Sequence, residues 1–153
     1  MARYPEPHKY TPKNPKKYKG DPTNIWIRSS WEKKLILWLD HNMSCIEYQS
    51  EQIVIPYRSP VDGKMHRYYV DFVATFRMGD NTVKTFLIEV KPYSQTLPPQ
   101  KGKKRQSTYM EECKTYCVNQ AKWEAAEKFA ALKGMKFIKV TEYELGLKQR
   151  KQK

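Results

Sequence analysis

The stretches Tyr69-Val70-Asp71-Phe72-Val73 and Phe86-Leu87-Ile88-Glu89-Val90-Lys91-Pro92 decide how this chain is read. Both are rich in Tyr, Val, Ile and Phe, which suit a pleated, half-buried surface. Side chains two apart in a strand share a face. Glu89 and Lys91 therefore point together, while Phe86, Ile88 and Val90 point the other way into apolar packing. Gly79-Asp80-Asn81 is turn chemistry, so residues 66–78 and 83–91 read as a hairpin. A hairpin can bring Asp71 beside Glu89, so that two acids and an ammonium converge at the end of a sheet.

That set suits phosphodiester hydrolysis. Carboxylate oxygens hold a hard cation such as Mg2+, which keeps several waters. The cation neutralises charge on phosphoryl oxygens and lowers the pKa of a bound water. A nearby lysine can orient or help deprotonate that water, or stabilise charge in the transition state. An acid and a lysine two apart are also a common solvated strand face. What favours chemistry is the company: an aspartate inside an apolar strand, a proline directly after the lysine, and a strongly basic chain.

Upstream, Trp31, Leu35, Trp38 and Leu39 form an apolar stripe at helical spacing, predicting a helix over 29–42 with Ser29 as N-cap and Asn42 near the stop. Glu32 has two readings. Ser29-Ser30-Trp31-Glu32 fits a capping box, with Glu32 reaching back to the Ser29 amide. Glu32 also lies about 70° from the middle of the stripe at ~100° per residue, where it can lean over a sheet toward a metal. Ile46, Tyr48 and residues 52–57 suggest strand, broken near Ser50-Glu51, and residues 60–64 are a turn. A polar loop follows Pro92. Helical pattern resumes near Ser107 and is expected to break near Asn119, which would cap a second segment carrying Trp123, Ala126, Phe129 and Ala130 and ending at Gly134. Residues 136–141 read as a last strand.

Helix, three antiparallel-leaning strands, helix and strand give an α/β fold: a mixed four-stranded sheet flanked by helices. Residues 1–24 hold five prolines among Lys and Tyr, which reads as an extended basic arm rather than a packed element. The expected organisation is this arm, one domain over 25–147, and a basic tail over 148–153.

The chain has 29 Lys and Arg against 16 acids, a formal charge of +13. A polyanion is the natural partner for that surplus. A membrane is not expected, because no basic helix has a clean apolar face and no run approaches the roughly 18 apolar residues of a span. The N-terminus lacks the apolar core of a secretion signal, so an intracellular protein is expected. Cys45, Cys113 and Cys117 lack zinc-finger spacing and read as buried thiols. Candidate DNA contacts are Lys101, Lys103, Lys104 and Arg105 in the loop, Arg28 and Arg67 flanking the acids, and Lys122, with Asn119 as cap and Trp123 as core. Glu51 reads as a polar contact at the sheet edge. His8, His41 and His66 have no convincing partner.

A helix glutamate, then D…E-x-K across a hairpin, then helix and strand resembles the PD-(D/E)xK nuclease superfamily, with its restriction-endonuclease-like core. More closely, the chain is similar to the head completion nucleases of T-even-type tailed phages. The matching segments include Pro12-Lys13-Asn14, Tyr18-Lys19-Gly20-Asp21-Pro22, Arg28-Ser29-Ser30-Trp31-Glu32-Lys33 and Trp38-Leu39-Asp40. They continue through Ser50-Glu51, Ile55-Pro56-Tyr57, Arg67-Tyr68-Tyr69, Ile88-Glu89-Val90-Lys91-Pro92, Val118-Asn119 and Lys122-Trp123. Val70 stands where the superfamily often has proline, at a position that shapes the strand.

The resemblance implies a metal-dependent DNA nuclease acting late in phage head maturation, before the tail joins. It implies a metal set of Asp71, Glu89 and Val90 with Mg2+, for which Mn2+ can substitute. Lys91 is then assigned to the attacking water and Glu32 to an accessory acid. Implied partners are DNA and phage head, portal or neck proteins, in the host cytoplasm during assembly, with retention in the virion open. The alternatives are a restriction, repair or transposition nuclease on the same fold, and a non-catalytic DNA-binding protein of the head–tail joint.

Overall fold

The computed structural model describes residues 3–149. In chain order the strands and α-helices are β1 (Arg3–Tyr10), β2 (Ile25–Ser29), α1 (Ser30–His41), β3 (Cys45–Ser50), β4 (Val54–Arg58), β5 (Met65–Tyr69), β6 (Phe72–Arg77), β7 (Val83–Val90), α2 (Gln106–Leu132) and β8 (Lys136–Val140). The central sheet runs β3-β6-β7-β8. Its first three strands are antiparallel, and β8 joins β7 in parallel after the α2 crossover. The mixed four-stranded sheet flanked by helices is the one expected from the sequence.

Alternation along β7 sorts the two faces. Ile88 and Val90 enter the core that includes Leu35, Ile36 and Leu39 of α1. Leu87 enters the opposite core, with Trp123, Ala126 and Ala130 of α2 and with Tyr57 and Tyr68 of the β4-β5 ribbon. Glu89 shares the parity of Leu87, and Asp71 that of Val73, so both acids belong to the α2 face of the sheet.

Residues 66–78 do not form one strand. The chain changes ladders at Val70-Asp71: β5 pairs with β4 in a separate ribbon, whereas β6 joins the central sheet. The neighbouring strand breaks at the same level. Glu51 adopts φ +52° between β3 and β4, its N–H bonds the Asp71 carbonyl, and the Val70 N–H bonds the Ile53 carbonyl. Two kinks held to each other let a continuous apolar sequence serve two sheets.

The expected break at Asn119 is absent. α2 runs for 27 residues, and Asn119 lies inside it, buried. No Gly or Pro interrupts 106–132, and a mid-helix Asn costs under about 1 kcal/mol relative to Ala, which burial of the Trp123 face outweighs. The helix ends as Gly134 foretold, in a Schellman motif: Gly134 adopts φ +70° and the Met135 N–H reaches the Ala130 carbonyl at 2.8 Å.

In α1 the buried stripe is Leu35, Ile36 and Leu39. Trp38 lies outside it, 52% exposed, and packs against Phe76 at 5.7 Å between ring centroids. Of the three free cysteines only Cys45 is buried; Cys113 is half-buried and Cys117 exposed on α2. Among the described residues no helix is long and apolar enough to cross a membrane.

The largest departure is the N-terminal segment, which is extended but packed. β1 pairs with β2, and Tyr10 and Tyr18 are buried in the main core. Asp40, wholly buried in α1, accepts hydrogen bonds from the Tyr10 hydroxyl at 2.9 Å, the Lys13 N–H at 2.8 Å and the Asn14 N–H at 3.3 Å. Lys17 Nζ donates to the Asp40 and Asn42 carbonyls. Prolines bar this segment from a helix but are tolerated in edge strands and turns, so composition alone hid its packing. Of the basic tail, residues 150–153 lie outside the described residues.

Candidate active site

β7 and β6 bring the first two acids together. The ladder pairs Phe72 with Ile88, and one step further sets Asp71 against Glu89. There the side chain replaces the backbone as acceptor: Asp71 Oδ2 takes the Val90 N–H at 2.8 Å. Glu89, 6% exposed, holds both oxygens in use. Oε1 lies 3.3 Å from Lys91 Nζ, and Oε2 accepts from the Tyr68 hydroxyl at 2.6 Å. The Lys91 N–H continues the sheet to the Val140 carbonyl. Pro92 has no N–H to extend the ladder, so the strand stops beside the site.

The Val90 side chain lies in the core, so any ligation by Val90 falls to its carbonyl. In a strand a residue's N–H and C=O face the same neighbour. The Val90 carbonyl is therefore turned toward the Asp71 side.

Glu32 takes the capping role, and among the described residues its carboxylate bonds only to Arg28 and Ser29. Its N–H donates to Ser29 Oγ at 3.2 Å, and its Oε2 accepts from Ser29 Oγ at 3.1 Å. The box closes on the Arg28 N–H, at 2.9 Å, and not on that of Ser29 as expected. Ser29 is extended, at φ −153°, and successive amides of extended backbone point to opposite sides, so Arg28's faces the helix. No group among the described residues donates to Glu32 Oε1. The Glu32 charge is also felt by Asp71.

Burial, and then the charges of Glu89 and Glu32, push the Asp71 carboxyl well above the usual carboxylate range, against the Val90 N–H and Lys91. Burial likewise raises Glu32, against its capping bonds from Arg28 and Ser29. Buried Glu89 and half-buried Asp71 adjoin, with buried Glu32 nearby, a gathering of like charge that a bound cation would relieve. Among the described residues no cluster of three or more His, Cys, Asp or Glu side chains could hold a metal. A cation held here would have two carboxylates and would complete its shell with main-chain oxygen and water, a set that fits a hard ion.

The remaining candidates divide. Lys122 faces the acids: its Nζ lies 5.9 Å from the Tyr57 ring centroid and 5.8 Å from that of Tyr68, and it feels Glu89, Lys91 and Asp71. Asn119, expected as a cap, is buried one turn earlier on α2. Arg28 borders the site, held by Glu51 through Nε–Oε1 at 3.0 Å and within reach of the Glu32 and Asp71 charges. Arg67 is exposed on β5, facing away from Tyr68. Lys101, Lys103, Lys104 and Arg105 are exposed in the loop before α2, where Lys104 pairs with Glu112 at 2.7 Å. None of these loop cations has a contact with the acids among the described interactions.

The sequence reading missed Tyr68. A signal was present: β5 alternation turns Tyr68 inward while Arg67 points out, and a buried tyrosine hydroxyl seeks a polar partner.

The family model described as TnsA-like endonuclease N terminal matches residues 42–142. The chain is 43% identical over 141 residues to the head completion nuclease of Enterobacteria phage T4, covering 88% of this chain and 89% of that protein. No solved structure is a significant match to the chain.

Proposed function

Because this chain belongs to the TnsA-like endonuclease family, with a restriction-endonuclease-like fold, we propose that it is a metal-dependent DNA nuclease of phage head completion. It hydrolyses phosphodiester bonds at the end of head maturation, before the tail joins. The nuclease role rests on that membership. The observation that carries the catalytic reading is half-buried Asp71 and buried Glu89 held side by side, with the Asp71 carboxyl raised by its acidic neighbours and Lys91 on Glu89 Oε1.

Asp71, Glu89 and the Val90 carbonyl are the groups proposed to hold a divalent cation, Mg2+ with Mn2+ as substitute. Nuclease domains of this fold generally use divalent metals. When bound, the ion supplies charge neutralisation at the phosphoryl oxygens and a water of lowered pKa. The protein's part is orientation. Tyr68 and Lys91 fix the two Glu89 oxygens, and the Val90 N–H fixes Asp71. The Lys91 ammonium stands where it can position the attacking water and offset charge on the phosphorane-like transition state. Glu32 sets the local field and can accept from a water through Oε1. Arg28, Arg67 and the 101–105 cations supply phosphate contacts that carry no sequence information.

The head–tail timing, the head, portal or neck proteins as partners, and action in the host cytoplasm rest on similarity to the phage T4 protein named head completion nuclease. A binding test with purified phage heads separates that role from restriction, repair or transposition on the same fold. Specific, saturable binding supports head completion; binding to DNA alone counts against it.

A further inference from the structure

α2 is seated on the sheet by Trp123, 3% exposed, whose ring lies 4.7 Å beneath Lys139 Nζ, and by Ala126 and Ala130 in the same core. Lys122 is next in sequence and about 100° around the helix, so this seat aims it at the β4-β5 ribbon. Its ammonium stands over the faces of Tyr57 and Tyr68, and Tyr68 is the residue that holds Glu89 Oε2. Lys122 is half-buried, yet among the described residues it has no carboxylate within ion-pair distance. A lysine placed only to neutralise Glu89 would pair with it, as Lys91 does at 3.3 Å. Aromatic faces compensate a desolvated ammonium weakly compared with a direct anion.

One turn back, Asn119 is buried on the same side of α2 at 6% exposure. It lines a groove of about 1130 Å3 between residues 94–100 and the first half of α2. That loop begins directly after Lys91-Pro92. Its walls carry Glu111, Glu112 and Lys104 beside neutral groups such as Gln95 and Thr115. Two carboxylates there are unfavourable to a phosphodiester strand, so the phosphate contact is assigned to Lys122 itself.

We propose that Lys122 is the anion-binding floor of a phosphate subsite within the reaction centre, taking a backbone phosphate of the bound strand. The proposal rests on the nuclease reading for its ligand class. It makes Lys122 a direct substrate contact of the centre, unlike the exposed lysines of the 101–105 loop.

The test uses Lys122→Gln, Lys122→Met and Lys122→Arg in the full chain, with folding checked by circular dichroism and thermal midpoint. Affinity is measured in a salt series on oligonucleotides that carry one uncharged methylphosphonate at successive positions. The expected result is a loss of one phosphate contact in the Gln and Met variants. The slope of log affinity against log salt falls by about 0.9 on duplex or about 0.7 on a single strand. One linkage whose neutralisation weakens the wild type should make no further difference to these variants, while Lys122→Arg keeps the wild-type sensitivity. Metal affinity without DNA should not fall in any of the three. Folded Gln and Met variants with the wild-type slope and the wild-type response to every linkage would overturn the subsite. Because the readout is binding, a wild type that binds DNA without cutting it removes the nuclease reading and leaves the linkage scan to decide the subsite.

Discussion

The Tyr68 hydroxyl donates to Glu89 Oε2 across 2.6 Å, and this bond ties the β4-β5 ribbon to the acid in the central sheet. Burial and the Glu89 charge raise the Tyr68 phenol far above its ordinary value, so it remains a donor across the working pH range. Tyr68→Phe leaves Glu89 oriented by Lys91 alone. Groups that orient ligands in this way are typically worth about 10–100-fold in metal affinity. A Mn2+ titration by calorimetry should give a loss of that order with the fold retained. Unchanged affinity and turnover would reduce the bond to packing.

Asp71 should destabilise the metal-free protein at neutral pH. Its folded pKa is raised above the unfolded value, so the folded state favours the protonated form. The resulting stabilisation is complete below the unfolded pKa, near 3.8, and is lost as pH rises through the folded value. Asp71→Asn should therefore be as stable as wild type or more so at pH 7, with a flatter decline of stability on going from acid to neutral pH. Denaturant melts of the metal-free proteins across pH measure this. A marked loss of stability in the Asn variant at pH 7 would contradict the gathering of like charge at the centre.

Lys91→Ala should keep metal binding and lose most turnover, because its ammonium is proposed to act on the water and on transition-state charge. Single-turnover cleavage beside a metal titration separates the two. Lost metal affinity with turnover intact at saturating metal would reverse the assignment.

For Glu32 the Gln and Ala variants divide capping from chemistry. Gln can accept the Arg28 and Ser29 hydrogen bonds but carries no charge; Ala loses the cap, at about 0.5–2 kcal/mol. The expected order of cleavage rates is wild type, then Gln, then Ala, with Gln near wild type in thermal stability. Gln equal to wild type in rate would leave Glu32 a cap alone.

Asp40 should prove to be the anchor of the N-terminal segment. Burial opposes its charge, but the hydrogen bonds from Lys13, Tyr10 and Asn14 outweigh it, and its pKa lies below the ordinary value. Its stabilisation is present above the unfolded pKa and is lost as pH falls through the folded one. Asp40→Ala should lower stability by about 3 kcal/mol and expose residues 3–20 to limited proteolysis. Deletion of residues 1–20 should unfold β2 and loosen α1. Wild-type protease resistance in Asp40→Ala would show that β1-β2 pairing suffices.

The acids and Lys91 were legible because period-two alternation and a turn between two strands determine which side chains meet. The α1 cap was legible for a similar reason, since Ser29 and Glu32 act within one helical turn. Other features depended on partners distant in sequence. The change of ladder at Val70-Asp71 requires β4 to lie beside β5, which no local pattern encodes. Asn119 looks like a cap until Trp123, Ala126 and Ala130 are seen on one continuous buried face. Residues 10–17 look solvated until Asp40, 30 residues from Tyr10 in sequence, gathers them. Lys122 was nominated as a phosphate contact, but only the fold sets it over Tyr57 and Tyr68, facing the acids.

The central claim is metal-dependent hydrolysis of DNA at Asp71 and Glu89. The most direct measurement incubates purified wild type and Asp71→Ala with supercoiled and linear DNA, in Mg2+ or Mn2+ and in EDTA, with DNA binding followed in parallel. The account predicts cleavage by the wild type only with metal, and an Asp71→Ala protein that folds and binds DNA but does not cut it. Cleavage that persists in EDTA, or turnover near wild type in Asp71→Ala, would contradict it.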